Sequence, residues 1–351
     1  MTTSRTPSAE SAPRVTSREV AARAGVHQST VSRALGPGGN VAAATRERVV
    51  TAARELGYTP DAIARSLITR RTSLVGILVA GLSSPFQPYV LEKLVQALAA
   101  GGLRPLVFSV PVGKDVDDLL PTALEYRPDA LIVTSASLSS ERIAWCVRRG
   151  TPVVLFNRLA PGGDAGAVCC DNVAGGRAVA DLLLRTGGRR FAYLAGSADS
   201  STNRDREAGF VGRLREHGVP LALREQGSYA YEDGRAATLR LLAGDAPPDS
   251  LFCASDILAL GARDAARGLG ARVPDDLAIV GFDDIPMAGW APYDLTTVRQ
   301  PVDAMIAATL AAIGSRGREP LARLFPGELV VRGSTRRGVG RPGEPSVAPD
   351  G

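Results

Sequence analysis

The sequence is poor in the residues that most often carry chemistry. Of 351 residues only two are His, four are Cys, three are Met and two are Trp. The histidines, His27 and His217, lie far apart in the chain, which argues against a His-rich metal site or a His-based catalytic triad. The cysteines are Cys146, Cys169, Cys170 and Cys253; none has C-x-x-C spacing, and the adjacent pair sits in an apolar, strand-like run. They read as buried reduced thiols. No stretch approaches the roughly 20 apolar residues of a membrane span. The first 14 residues are rich in Ser, Thr, Pro and Ala and lack the apolar centre of a secretory signal, so a disordered arm and a cytoplasmic protein are expected. A G-x-x-x-x-G-K phosphate loop and a nucleophile elbow are also missing. The expectation is a protein with no cofactor, no metal and no enzymatic activity.

What is present is unevenly placed. The chain carries a net charge of +5. Residues 1–72 hold 11 Arg, no Lys and 5 acids, a net of +6, which leaves −1 for the remainder. The whole positive excess sits at the amino end, as expected of a segment that meets phosphates.

Within that basic end, Val20, Ala21 and Ala24 fall on one face of a short helix, Gly25 supplies a turn, and Val31 and Leu35 begin a second apolar face. This spacing predicts a helix-turn-helix, two short helices sharing an apolar seam with the second one lying in a DNA groove. Gln28, Ser29 and Arg33 fall at the start and on the outer face of the second helix. Their amide, hydroxyl and guanidinium groups are those that hydrogen-bond base edges. The bland alternative is a helical hairpin with solvated polar residues. After a Gly/Pro loop, a third helix is expected from about Ala44 to Leu56, with Val49, Ala52, Ala53 and Leu56 as its stripe and Gly57 as its stop. Asp61 can cap a short segment reaching Leu67. So short a segment is not a stable helix in water, and it is expected to order only with DNA and a second copy of the chain.

From Ser73 the pattern changes to short apolar runs alternating with helical stretches. Leu74–Leu82, Leu106–Val110, Ala130–Thr134, Val153–Phe156, Phe191–Leu194, Leu251–Ala254 and Ala278–Phe282 read as strands. Tyr89–Ala100, Ala174–Thr186, Arg206–Glu216, Gly234–Leu242 and Ile257–Leu269 read as helices. Such alternation indicates doubly wound parallel sheets. The length is too great for one sheet, so two α/β lobes with a cleft between them are expected, with ligand at the carboxyl ends of strands.

These residues resemble the LacI-type family, the lactose and purine repressors and their kin among bacterial transcription regulators, over roughly residues 15–335. The matching segments are Val20-Ala21-x-x-Ala24-Gly25-Val26, Thr30-Val31-Ser32-Arg33, Thr45-Arg46, Leu56-Gly57-Tyr58-x-Pro60 and Ala64-Arg65-Ser66-Leu67. In the larger part they are Asp171-Asn172 with Gly175-Gly176, Arg206-x-x-Gly209-Phe210, Ser255-Asp256, Gly281-Phe282-Asp283-Asp284 and Thr296-Thr297-Val298-Arg299-Gln300-Pro301. The resemblance implies an all-α helix-turn-helix DNA-binding head joined to an α/β two-lobed core like the periplasmic binding proteins. It implies a homodimer on a pseudo-palindromic operator in double-stranded DNA, controlled by a small-molecule effector, a sugar or related metabolite, with no membrane partner. Contacts to DNA would come from Thr16, His27, Gln28, Ser29, Thr30, Arg33 and Arg46, the last to phosphate, with Ala64 and Leu67 of a hinge helix in the minor groove. Leu67 would act there as a wedge, or else as a core leucine.

The effector would be held by Phe86, Asn157, Arg206, Tyr229, Asp256 and Asp283. Arg206 and Asp256 would bracket hydroxyls as donor and acceptor, or else pair with each other inside a lobe. Phe86 and Tyr229 would stack on a ring, or else be core. The boundaries expected are 1–14 arm, 15–60 helix-turn-helix domain, 61–72 hinge, 73–335 effector and dimerisation domain, and 336–351 disordered tail. Lobe 1 would take 73–160 and 276–303, and lobe 2 would take 161–275 and 304–335. The absence of a heptad repeat after 335 favours a dimer over a tetramer.

Departures from the family pattern bear on affinity and ligand. His27 stands where Ser is usual, Ala42 replaces a frequent Ser before the third helix, and Gly36 stands where Asn is common. Asn157-Arg158 occupies a place where sugar binders often have Asp-Arg, Gly81 one where many carry an acid, and Gln87 replaces a second aromatic. Two other classes compete. A solute-binding protein would share the core but would require export, and an enzyme of the doubly wound type has no motif in its favour.

Overall fold

The computed structural model describes residues 15–36, 40–59, 71–110, 116–134, 139–159, 166–315 and 322–335. The chain divides after Thr72 into two compact units. The first is a three-helix head: α1 (Ser17–Ala24), α2 (Gln28–Leu35) and α3 (Ala43–Glu55). Thr16 starts α1 with a capping box. Its hydroxyl accepts from the Glu19 amide, and the Glu19 carboxylate accepts from the Thr16 amide at 2.7 Å. Those bonds hold the Glu19 carboxyl below its ordinary range. Gly25 ends α1 in the left-handed conformation at φ 64°, where its amide reaches the carbonyls of Ala21 and Ala22.

The head's core is Val20, Ala21, Ala24, Val31, Ala34, Val49, Ala52 and Ala53. Fully burying a valine contributes about 1.5–3 kcal/mol, and Val20, Val31 and Val49 are 1% exposed or less. Alanines at the remaining positions let three short helices approach closely. Among the expected apolar positions, Leu35 and Leu56 are only partly buried.

The second unit holds two parallel sheets. The first contains β1 (Leu74–Val79), β2 (Arg104–Ser109), β3 (Ala130–Thr134), β4 (Val153–Phe156), β5 (Gly166–Cys170) and a late strand, Ala322–Phe325, in the order late strand–β5–β4–β3–β1–β2. The second contains β6 (Phe191–Ala195), β7 (Leu223–Gln226), β8 (Ser250–Cys253) and β9 (Ala278–Val280), in the order β7–β6–β8–β9. β10 (Thr297–Arg299) pairs antiparallel with Glu328–Val330 as a separate ribbon. The late strand is β11 and its successor β12. Helices α4 (Phe86–Ala100), α5 (Leu120–Glu125), α6 (Ser140–Arg148), α7 (Asn172–Arg185), α8 (Ser201–Glu216), α9 (Tyr231–Ala243), α10 (Asp256–Gly268) and α11 (Val302–Gly314) connect or flank the strands.

The expected division of the lobes is corrected by this pairing. β5 lies beside β4, so Gly166–Cys170 belongs to the first sheet and not to the second lobe. β9 bonds β8 in register Ser250↔Ala278, so 278–280 belongs to the second sheet. α11 packs on β4, β5 and β11, which returns 302–314 and 322–325 to the first. A buried strand must satisfy its backbone groups against a neighbour, and that partner cannot be read from the strand's own residues. Residues 61–70 of the expected 61–72 hinge, and both expected disordered ends, fall outside the described residues.

Candidate functional site

The head gathers its polar groups at the amino ends of α1 and α2. Thr16, His27, Gln28, Ser29 and Arg33 are all exposed, and Thr30 is half-buried. His27 caps α2: its Nδ1 accepts from the Ser29 amide at 3.3 Å and lies 2.9 Å from Ser29 Oγ. The imidazole thus supplies the cap for which the family resemblance leads one to expect serine. Gln28 Nε2 donates to Ser17 Oγ at 2.8 Å, joining the two helix starts. Arg33 folds along its own helix, Nε donating to the Ser29 carbonyl at 3.2 Å and Nη2 to Ser29 Oγ at 3.4 Å. This rim offers amide, hydroxyl, imidazole and guanidinium groups to base edges and phosphates.

Arg46, expected at a phosphate, also has a partner within the head. Its Nη1 donates to the Ala34 carbonyl at 2.8 Å, which places a cation at the carboxyl end of α2, where the helix dipole favours it. Arg46 therefore braces α3 against the second helix as well as bearing charge. α3 itself starts at Ala42 without a side-chain cap. Ala64 and Leu67 lie outside the described residues.

In the second unit the centre is Arg206 on α8. It is 2% exposed, and each edge of its guanidinium has a partner. Nε donates to Asn172 Oδ1 at 2.8 Å, Nη1 to the Ala254 carbonyl at 2.5 Å, and Nη2 pairs with Asp283 Oδ1 at 3.1 Å. The guanidinium carbon sits 3.7 Å from the centroid of the Phe282 ring, a cation–π contact in a desolvated place. Burial is the largest influence and opposes the charge, but Asp283, Tyr229, Cys170 and Tyr193 together hold Arg206 above its ordinary value. Gly175 makes this arrangement possible, because a side chain there would overlap the Phe282 ring.

Asp283 also accepts from Gln300 Nε2 at 2.7 Å. Burial pushes its carboxyl up to about 6, against the pull of Arg206 and Gln300. It adopts φ 121°, and Asp284 adopts φ 54°, both unusual for a residue other than glycine. Asp284 in turn is gripped by Arg299 at 2.7 Å and Arg332 at 2.8 Å.

Asp256 corrects the sequence expectation. It is fully buried, with Oδ2 accepting from the Ile285 amide at 2.9 Å and Oδ1 from Thr297 Oγ1 at 2.5 Å. It neither pairs with Arg206 nor presents an open edge. Its work is to tie the start of α10 to the loop after β9. Burial and the nearby Asp283 charge raise its carboxyl to about 8. Phe86 is likewise corrected: its ring is 3% exposed and lies in the core beside Val90 and Leu94, so it has no open face for stacking.

Tyr229 is the half-buried ring on this side of the molecule. Its hydroxyl donates to Ser200 Oγ at 2.9 Å, and Gly196 leaves room for the ring. Asn157, at the end of β4, is buried with φ 58°, and Cys169 Sγ lies 4.0 Å from its Oδ1. The next residue, Arg158, feels Tyr229, Arg206, Cys169 and Arg204; burial first, then the two arginines, pull its guanidinium below the ordinary value while Tyr229 opposes them. Leu159 N, donating to Ser201 Oγ at 3.4 Å, joins the β4 end to the start of α8. Arg206, Asp283, Asn157, Arg158 and Tyr229 thus share one neighbourhood where the two sheets meet. Asn172, Phe282, Thr297 and Gln300 complete it. All four lay within motifs that carried the resemblance, but none had been given a role. Among the described residues no group of three or more His, Cys, Asp or Glu is placed to hold a metal ion.

Comparison with known proteins identifies both parts of the chain. The profile described as "Bacterial regulatory proteins, lacI family" matches residues 16–61, and that of a "Periplasmic binding protein-like domain" matches 180–335. The HTH-type transcriptional regulator GalS of Salmonella typhimurium is 33% identical over 309 residues, 86% of this chain and 91% of the relative. MalR of Streptomyces coelicolor is 33% identical over 343 residues, 93% of this chain and 98% of the relative. Among solved structures, the lac repressor dimer bound to operator and the anti-inducer ONPF has a TM-score of 0.82 at 25% identity, covering 92% of this chain and 99% of that one. A CelR–cellobiose complex has a TM-score of 0.68 at 30% identity, covering 92% and 100%.

Proposed function

The chain belongs to the lacI family of bacterial regulatory proteins, and we propose that it represses transcription by binding a pseudo-palindromic operator as a homodimer, under control of a small-molecule effector held in its core. The observation that carries this reading is the exposed rim of Gln28, Ser29 and Arg33 on a helix whose other face is buried. A polar edge fixed in this way, on a basic unit, suits entry into the major groove. Thr16, His27 and Thr30 flank it as backbone contacts. Ala64 and Leu67, by resemblance, act in the minor groove at the operator centre.

The effector, a sugar or related metabolite, lies against Arg206, Asn157, Tyr229 and Asp283. A structurally similar CelR is described with cellobiose, and the lac repressor with operator and an anti-inducer; both support the reading. The effector can move the DNA-binding equilibrium only by its difference in affinity for the two states of the dimer. We assign the chain no catalytic role and place its work at DNA in the bacterial cytoplasm. No helix among the described residues is long and apolar enough to cross a membrane.

The test is selection of genomic fragments by the purified full chain against random competitor, followed by anisotropy titration of the enriched sequence with its symmetric halves scrambled. The expected result is a palindromic site bound by two chains. Binding that shows no preference for any fragment, with or without metabolites, refutes the proposal.

A further inference from the structure

The chain leaves the second sheet after Val280 and regains the first at α11, so residues 281–301 include a crossing between the lobes. Its first turn is strained. Asp283 and Asp284 hold positive φ, a conformation that persists only where surrounding bonds over-determine it. Three carboxylates supply those bonds. Asp283 is paired with Arg206, and Asp284 with Arg299 and Arg332. Asp256 holds the Ile285 amide at the end of the turn and Thr297 on β10. Unlike the other two it has no cation among the described residues, since its partners are a backbone amide and a hydroxyl.

Charge decides what such a group must be. Asp256 is fully buried, and Gly281 lies so close to its Oδ1 that any side chain there would overlap it. The titratable groups around it leave a negative charge uncompensated. From β8 comes the Cys253 thiol, which burial pushes up and keeps neutral. From the crossing come Asp283 and Asp284, both of its own sign. Arg206 on α8 directs one edge to the Ala254 carbonyl and another to Asp283, while Arg299 and Arg332 are bound to Asp284. An ionised carboxylate buried among neutral donors and like charges is costly, and such a group keeps its proton instead. Burial and the Asp283 charge, which raise the Asp256 carboxyl to about 8, act in the same sense.

We propose that Asp256 is a neutral acid in the native protein and serves as a proton-operated latch on the lobe crossing. With the proton in place, Oδ2 accepts from the Ile285 amide. The short contact to Thr297 Oγ1 then runs from carboxyl to hydroxyl, where the ionised group would accept. The turn is thus tied to α10 without an added charge. Loss of the proton sets a bare negative charge near Asp283, and the strained turn that presents Asp283 to Arg206 loosens. Alkaline pH thereby weakens the crossing beside the neighbourhood of Arg206. The latch depends neither on the identity of the effector nor on the operator.

The test compares urea unfolding of the full chain with that of Asp256→Asn, whose amide can accept from Ile285 and donate to Thr297 as the neutral acid does. An unfolded aspartate ionises near about pH 4, so the native state holds a proton that the unfolded state has lost. The unfolding constant of the unaltered protein, relative to the variant, should therefore rise roughly tenfold per pH unit between about pH 5 and about pH 7. A ratio independent of pH overturns the proposal. Hydrogen exchange of peptides spanning 281–285, corrected for its intrinsic pH dependence, reads the latch itself. Protection should fall above about pH 8 in the unaltered protein and not in Asp256→Asn; equal profiles overturn the latch. The unaltered chain answers even if the variant does not fold. Its unfolding in weakly buffered urea near about pH 7 should release about one proton per chain, and release of none, or net uptake, overturns the proposal.

Discussion

Arg206→Ala is the perturbation that probes most of the core at once. The side chain is buried with three hydrogen-bonded partners, and its removal leaves Asp283 as a buried carboxylate to which Gln300 still donates. Breaking a buried pair from one side costs about 3–5 kcal/mol, and the Asn172 amide oxygen and Ala254 carbonyl also lose a donor. A loss of about that size in urea unfolding of the full chain is expected. The pH dependence carries the sharper test. In the intact protein burial already raises the Asp283 carboxyl to about 6 despite Arg206, and without the cation it rises further. A folded-state value above the unfolded one means that the native state holds the proton more tightly, so that stabilisation is lost as pH rises through the folded value. The deficit of the variant should therefore be smallest near about pH 5 and grow above about pH 6, the value at which the intact protein's own carboxyl titrates. Adding Asp283→Asn to Arg206→Ala should recover part of the loss at about pH 8. Equal deficits at about pH 5 and about pH 8, or a loss below about 1 kcal/mol, would refute the ion-pair reasoning.

Three further outcomes follow from local geometry. Arg33→Ala should cost roughly 1–3 kcal/mol on the selected operator and relax preference at one base pair, read by anisotropy against single-base variants; a loss equal on random DNA counts against base reading. Thr16→Ala removes one half of the capping box at α1 and should lower head stability by about 1 kcal/mol, seen as a shift in the melting of the amino-terminal unit. Gly176→Ala places a methyl group against the Arg206 carbonyl and the Phe210 amide where α7 crosses α8. Overpacking of this kind costs about 1–3 kcal/mol, and an unchanged melting curve would show that the two helices can separate freely.

How far the sequence was legible depends on the kind of information each element carries. Ala130–Thr134 and Val153–Phe156 are continuous apolar runs whose limits match the structure, because burial on both faces writes itself into every residue. β7, Leu223–Gln226, alternates half-buried with exposed positions at a sheet edge and offered no such run. β11 has three exposed residues of four and was invisible for the same reason. Sheet membership was lost altogether, since β9 and β5 look alike as strings and differ only in which strand lies beside them. At the site, the family resemblance pointed to Arg206, Asp256 and Asp283, but not to which carboxylate faces the guanidinium. That choice is made by the loop after β9, which turns Asp283 toward Arg206 while the Ile285 amide and Thr297 occupy Asp256. Phe86 shows the opposite failure: an aromatic at a suggestive position is core when its helix packs that edge inward.

His27 is the residue at which sequence and structure together say more than either alone. The Ser29 amide can only donate, so Nδ1 of His27 must accept from it, and in the neutral ring the proton then sits on Nε2. The exposed imidazole thereby offers an N–H donor at the start of the recognition helix, where the usual serine offers a hydroxyl. Capping and DNA contact can be separated by substitution. Glycine at an N-cap is only a few tenths of a kcal/mol worse than serine but has no donor. His27→Gly should leave the melting of the head nearly unchanged yet weaken operator binding about fivefold per half-site, the worth of one hydrogen bond of about 1 kcal/mol in each head. His27→Ser should retain both properties. Because the contact is to backbone, the loss in His27→Gly should be uniform across operator variants. If His27→Gly binds the operator as tightly as the unaltered protein, the imidazole is a cap and contributes nothing to DNA.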